Sequence, residues 1–270
     1  MARLDRLYIG ANTKMFMTAK QTVEYLEALD SHTRDLRKED ITIFVLPSYT
    51  SLHAANYVLA DSHILLGAQN IGFEARGEFT GEISPLMLIE AGAGIVMCGH
   101  SERRHIFGET DEDQMRKVRC AISNGMTALL CVGETRLQKD QGIGPETLET
   151  QLKIALSGLS EADADRLLIA YEPVWAIGGG GEPASPDYAE TMHLVIRRTL
   201  NNIFGKETGG DIPILYGGSV NIDNAVSFVD MPHINGIYMG RSSLDAANFE
   251  RIIRVAELAH FAKRKRSVRP

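Results

Sequence analysis

Eight short apolar runs punctuate the chain: LYIGAN near the start, then ITIFVLP, HILLGAQN, AGIVMCG, MTALLCVGE, LLIAYEP, IPILYGG and NGIYMG. They read as continuous apolar stretches rather than alternations, the pattern of parallel strands covered on both faces. The stretches between them place Leu, Ile, Val and Ala at i, i+3 and i+4, which predicts helices over 18–30, 111–124, 145–158, 186–204 and 244–261. Strand then helix, eight times within about 250 residues, predicts an α/β fold, a single-domain (β/α)8 barrel over 1–262. An open doubly wound sheet is the competing arrangement, but no GxGxxG follows the first run. No Pro/Gly/Ser-rich linker divides the chain.

Composition narrows the chemistry. With 270 residues, 44% hydrophobic and 23% charged, the chain is ordinary for a soluble globular protein, and its formal charge of −7 argues against nucleic-acid or anionic-membrane partners. An anionic substrate would therefore need a locally positive pocket. MARLDRLYIG has no apolar leader core and no apolar run reaches membrane-spanning length, which predicts a cytoplasmic protein. Cys98, Cys120 and Cys131 form no CxxC pair and show no metal-ligand spacing, so buried reduced thiols and no metal are expected. The one basic cluster, KRKRSVRP over 263–270, reads as a solvated, mobile tail rather than a nucleic-acid arm.

In such a barrel the chemistry gathers where the strands end, so the polar residues after each run are the candidates. They are Asn12 and Lys14, Gln69 and Asn70, His100 and Glu102, Glu172, then Gly217, Gly218 and Ser219, and Gly240 with Arg241. A lysine, an imidazole and a carboxylate converge on one rim. A carboxylate kept from water can take a carbon-bound proton at neutral pH, and preorganised donors can stabilise the enediolate that results. SERR after His100 suggests a helix start, whose dipole disfavours an imidazolium. Gly178, Gly217, Gly218 and Gly240 leave backbone N–H groups open to an anion, and Ser219 adds a hydroxyl.

GANTKM, GAQN with EFTGE, CGHSERR, LLCVGET, AYEPVWAIG and LYGGSVN occur in an order, and over nearly the whole chain, that resembles the triosephosphate isomerase family. The resemblance implies a TIM barrel and a cofactor-independent sugar-phosphate isomerase. Glu172 would be the base, with His100, Lys14 and Asn12 as electrophilic donors. Glu102 would either support proton handling or serve as an ion-pair partner. It also implies phosphate binding at Gly178, Gly218, Ser219, Gly240 and Arg241. Pro173, Trp175, Ala176, Ile177 and Gly178 to Gly181 would form a lid. A homodimer would carry Thr80 across to a neighbouring subunit beside Asn12 and Lys14.

Three departures stand out: Thr13 where the family has tryptophan, the lid ending GGGEPA, and Arg241 after Gly240. With the GRSSLD continuation they resemble the branch that isomerises L-erythrulose 1-phosphate to D-erythrulose 4-phosphate, so a four-carbon substrate is expected and the triose is the alternative. Thr13 also lacks the large apolar ring expected near the subunit contact, which implies a looser dimer. A metal-dependent aldolase barrel would need clustered ligands where only His100 is well placed. A noncatalytic sugar-phosphate sensor would have no use for the complete Lys14, His100 and Glu172 set.

Overall fold

The structure, a computed structural model, describes residues 3–178 and 183–267. All eight apolar runs are strands: β1 (Leu7–Asn12), β2 (Ile41–Leu46), β3 (Leu65–Ala68), β4 (Ile95–Cys98), β5 (Thr127–Val132), β6 (Leu167–Tyr171), β7 (Ile214–Tyr216) and β8 (Gly236–Met239). They pair in parallel, each with the next, and β1 closes on β8 through Tyr8↔Gly236 to Ala11↔Met239. This is the (β/α)8 barrel.

The helices are α1 (Ala19–Thr33), α2 (Leu52–Val58), α3 (Pro85–Glu90), α4 (Ser101–His105), α5 (Asp111–Ser123), α6 (Arg136–Asp140), α7 (Gly144–Ala155), α8 (Pro186–Phe204), α9 (Lys206–Gly210), α10 (Ala225–Val229) and α11 (Ala246–Ser267). Local chemistry sets their ends. Thr18 and Thr110 form capping boxes with Gln21 and Asp113, satisfying backbone donors that a helix start leaves open. Ser185 caps α8 with Pro186 in its first turn, and Gly205 ends it at φ +81°.

The pleat divides the strand residues between two cores. Ile9, Ile43, Val96, Leu130 and Ile169 pack outward under the helices, while Tyr8, Phe44, Leu46, Met97, Leu129, Leu168, Leu215 and Tyr238 fill the barrel itself. The interior is thus a packed plug, and the rim is the place left for a ligand. Cys98, Cys120 and Cys131 are free and buried, as the sequence predicts, and burial pushes the Cys98 thiol up to about 12.

One expectation is corrected. The chain from Lys263 to Ser267 continues α11 instead of forming a loose tail. Lys263 Nζ donates to the carbonyls of Val229, Met231 and Ile234, closing the end of α10, and Arg264 lies 3.4 Å from Asp40. Arg266 pairs with Asp230, so Lys263, Arg264 and Arg266 each have a local partner; residues 268–270 lie outside the described residues. Among the described residues no helix is long and apolar enough to cross a membrane.

Candidate active site

The strand ends bring the predicted residues to one pocket. Asn12, Lys14, His100, Glu102, Glu172, Gly178, Gly218, Ser219, Gly240 and Arg241 all line it, together with Phe16, Ile177, Gly217 and Tyr238. Pro173, Trp175 and Ala176 are buried and are not among its lining residues. Thr80 is exposed on the loop after β3 and takes no part in the wall. Gly179, Gly180 and Gly181 of the expected lid lie outside the described residues.

Glu172 follows β6 and is 3% exposed. Its amide donates to Val132 O at 2.7 Å, tying it to the end of β5. Two glycines give it space: a Cβ on Gly133 would fall 1.9 Å from Glu172 O, and one on Gly217 would fall 2.7 Å from Glu172 Cγ. Among the described residues its buried Oε2 has no hydrogen-bond partner. A carboxylate oxygen held from water and left unpaired is costly to the fold and available to a substrate proton. Below it, burial and the Glu172 carboxylate raise the Cys131 thiol well above its ordinary value, so it stays protonated.

His100 faces Glu172, with Nε2 3.5 Å from Oε1. It caps α4, and its Nδ1 accepts the backbone N–H of Glu102 at 3.2 Å. A nitrogen that accepts carries no proton, which leaves Nε2 as the N–H of a neutral ring directed at the pocket. Glu102 Oε2 also lies 3.5 Å from Nδ1, but the backbone N–H already occupies that lone pair, so this approach is no ion pair.

Lys14 adopts φ +50°, a left-handed conformation that costs an L residue about 1–2 kcal/mol. Three contacts hold it there. Asn12 Oδ1 accepts the Lys14 amide at 2.8 Å, Gln69 Nε2 donates to Lys14 O at 2.8 Å, and Lys14 Nζ pairs with Glu102 Oε1 at 2.6 Å. The ammonium is thereby fixed at the pocket, with Glu102 as its ion-pair partner.

The chemistry available is proton abstraction beside a polarised carbonyl: a buried carboxylate with one oxygen unpartnered among the described residues opposes a neutral imidazole N–H, with an ammonium and an amide nearby. The sequence model of the triosephosphate isomerase family matches residues 7–256. The chain belongs to the triosephosphate isomerase family. It is 44% identical over 248 residues to triosephosphate isomerase of Aquifex aeolicus, covering 92% of this chain and 98% of that one. It is 42% identical to the enzyme of Roseiflexus sp. strain RS-1 over 245 residues, 91% of this chain and 95% of the other. The crystal structure of triosephosphate isomerase from Bartonella henselae superposes with a TM-score of 0.83 at 35% identity, over 93% of this chain and 98% of that chain. The protein is an isomerase of the triosephosphate isomerase type. These relatives all carry the triosephosphate isomerase name. The branch suggested by Thr13, the altered lid and Arg241 finds no support in them, and the triose alternative is the better backed.

Some working parts are not evident from sequence. Glu134, after β5, is fully buried and accepts from Tyr171, Trp175 and Tyr188, so it anchors the segment beyond Glu172. Gln69 is recognisable as a rim residue, but its grip on Lys14 is not. Its place just after a strand and within the LLCVGET stretch marks Glu134, but the three side chains it holds do not show in the sequence.

Behind Glu172, His193 of α8 is buried edge-on against the Tyr171 ring. Its Nδ1–H donates to His233 O, while Nε2 has no partner among the described residues. Burial, the largest influence, lowers its pKa from 6.5 to about 3. Between those values the unfolded chain binds a proton that the folded chain refuses. The stabilisation is therefore fully present above pH 6.5 and declines by about 1.4 kcal/mol per pH unit as pH falls toward 3. Urea melts from pH 7 to 4 should show this loss, and His193→Phe should flatten it. An unchanged slope in the variant would place the proton uptake elsewhere.

Proposed function

We propose that this enzyme interconverts dihydroxyacetone phosphate and glyceraldehyde 3-phosphate through an enediolate. The observation that carries the proposal is the opposition of Glu172, with its unpartnered buried oxygen, to the Nε2–H of a neutral His100. Glu172 takes the proton from the carbon beside the carbonyl, and the C–H electron pair becomes the C=C bond. The carbonyl oxygen gains the charge, which the His100 N–H, the Lys14 ammonium and the Asn12 amide stabilise. Protonation of the neighbouring carbon by the same carboxyl group completes the shift, and His100 moves protons between the two oxygens. No cofactor enters this sequence.

The phosphate would lie against the backbone N–H groups of Gly178, Gly218, Gly240 and Arg241 and beside Ser219, all of which line the pocket. Arg241 is also the specific feature that keeps the four-carbon substrate in view, because it is an exposed residue among those lining the pocket and its guanidinium would be a hydrogen-bond donor for an extra hydroxymethyl. The two readings separate in one experiment. Side-by-side kcat/KM values for glyceraldehyde 3-phosphate and L-erythrulose 1-phosphate should favour the triose by at least about tenfold, the lower end of what one additional group controls. A preference for erythrulose phosphate would reverse the assignment and leave the mechanism in place.

A homodimer is part of this proposal. Met15 and Phe16, flanking the strained Lys14, are 96% and 58% exposed, and a groove of Phe73, Phe79, Leu86 and Met87 lies open beside the Thr80 loop. A second copy of the chain would cover both, bringing Thr80 to the neighbour's Asn12 and Lys14. Sedimentation and activity followed on dilution should fall together. Full specific activity in a monomer would count against the assembly.

A further inference from the structure

Lys139 of α6 has no part in the reaction above, yet it stands over the single tryptophan of the chain. Its Nζ lies 3.4 Å from the centre of the Trp175 ring and 5.0 Å from that of Tyr188. Those two rings meet edge to face, 5.6 Å apart at 73°. Arg136, one turn earlier, brings its guanidinium carbon to 4.9 Å from the same indole centre. At the indole's edge, Nε1–H donates to the buried Glu134 Oε1 at 2.7 Å, where the Tyr188 hydroxyl also donates at 3.0 Å.

The order is ammonium, indole face, indole N–H, carboxylate. A cation on the face draws density from the ring and makes the N–H a stronger donor, so the two contacts reinforce each other. Trp175 sits in the single turn Val174–Ala176, between Glu172 and the pocket-lining Ile177 and Gly178. Ala176 O in turn accepts from Ser219 Oγ at 2.7 Å. Whatever fixes the indole fixes the wall on both sides of it.

We propose that Lys139 is a positioning residue of the active site, its charge holding Trp175 through the indole face and, with it, the wall from Glu172 to Gly178. The kinetic consequence rests on the isomerase reading; the ring contact does not. Lys139→Met keeps much of the length and bulk and removes the cation, while Lys139→Arg keeps the cation. The residue is half-buried on a five-residue helix, so neither change opens the core.

Lys139→Met should change the intrinsic fluorescence of Trp175 without substrate and lower kcat/KM about fivefold, mainly through KM, as expected for losing one ring–cation contact. Lys139→Arg should restore both. Wild-type fluorescence in Lys139→Met would overturn the proposal. So would altered fluorescence with unchanged kinetics, or an arginine variant as impaired as the methionine one. If the wild-type protein fails to turn over triose phosphates, the functional reading falls by itself. Titration with inorganic phosphate, read by the same fluorescence, then replaces KM: weaker binding in Lys139→Met alone supports the positioning role, and equal binding ends it.

Discussion

Glu172→Gln should retain substrate binding and lose about 10³-fold or more in kcat in both directions. The amide nearly matches the carboxylate in shape, so the pocket formed by Gly133, Gly217 and His100 accepts it. It has no basic oxygen to receive a carbon-bound proton, and general-base catalysis alone is worth about 10²–10⁴. The loss should appear in kcat with KM little changed, the signature of an interaction made in the transition state. Exchange of the substrate proton with deuterated solvent offers the most direct check. Near wild-type exchange in this variant would remove Glu172 from the role of base.

Gly217→Ala should reduce kcat by about 10²-fold while leaving the charge and identity of every polar group unchanged. The added Cβ would lie 2.7 Å from Glu172 Cγ and 3.4 Å from Oε1, so the carboxylate has to move. The backbone at Gly217 lies outside the left-handed region, so alanine brings no conformational strain of its own. Displacing a reacting group by about 1 Å can cost about 10²-fold through lost orientation. A wild-type kcat, with the variant's crystal structure showing Glu172 unmoved, would refute this account of how the base is aimed.

These two residues mark how far the sequence carries. The strands are legible because a parallel strand covered on both faces is written as an unbroken apolar run, and all eight runs pair in order. Helix α8 is legible to the residue, since Pro186 opens it and Gly205 closes it with local chemistry. Helices of five to seven residues, such as α2, α6, α9 and α10, are too short to display a period. Glu172, His100 and Lys14 are recognisable from their place after a strand and from the family motifs. The space Gly217 leaves for Glu172, the carboxylate under Trp175 and the grip of Gln69 on Lys14 depend on contacts between segments far apart in the chain. No local pattern encodes them. The basic end of α11 misleads for the same reason, because the carbonyls that Lys263 binds are contributed by α10 and the approach to β8.

The pairing of β1 with β8 bears on how the chain is made. Tyr8 to Ala11 leaves the ribosome more than two hundred residues before Gly236 to Met239, its partner on that side. Until then one flank of β1 is a bare row of amides and carbonyls, the kind of edge that recruits strands from other chains. A nascent or truncated polypeptide ending before Gly236 would thus carry an adhesive margin that the finished ring lacks. Ring closure, the pairing with the greatest separation along the chain, is the step at which that hazard disappears.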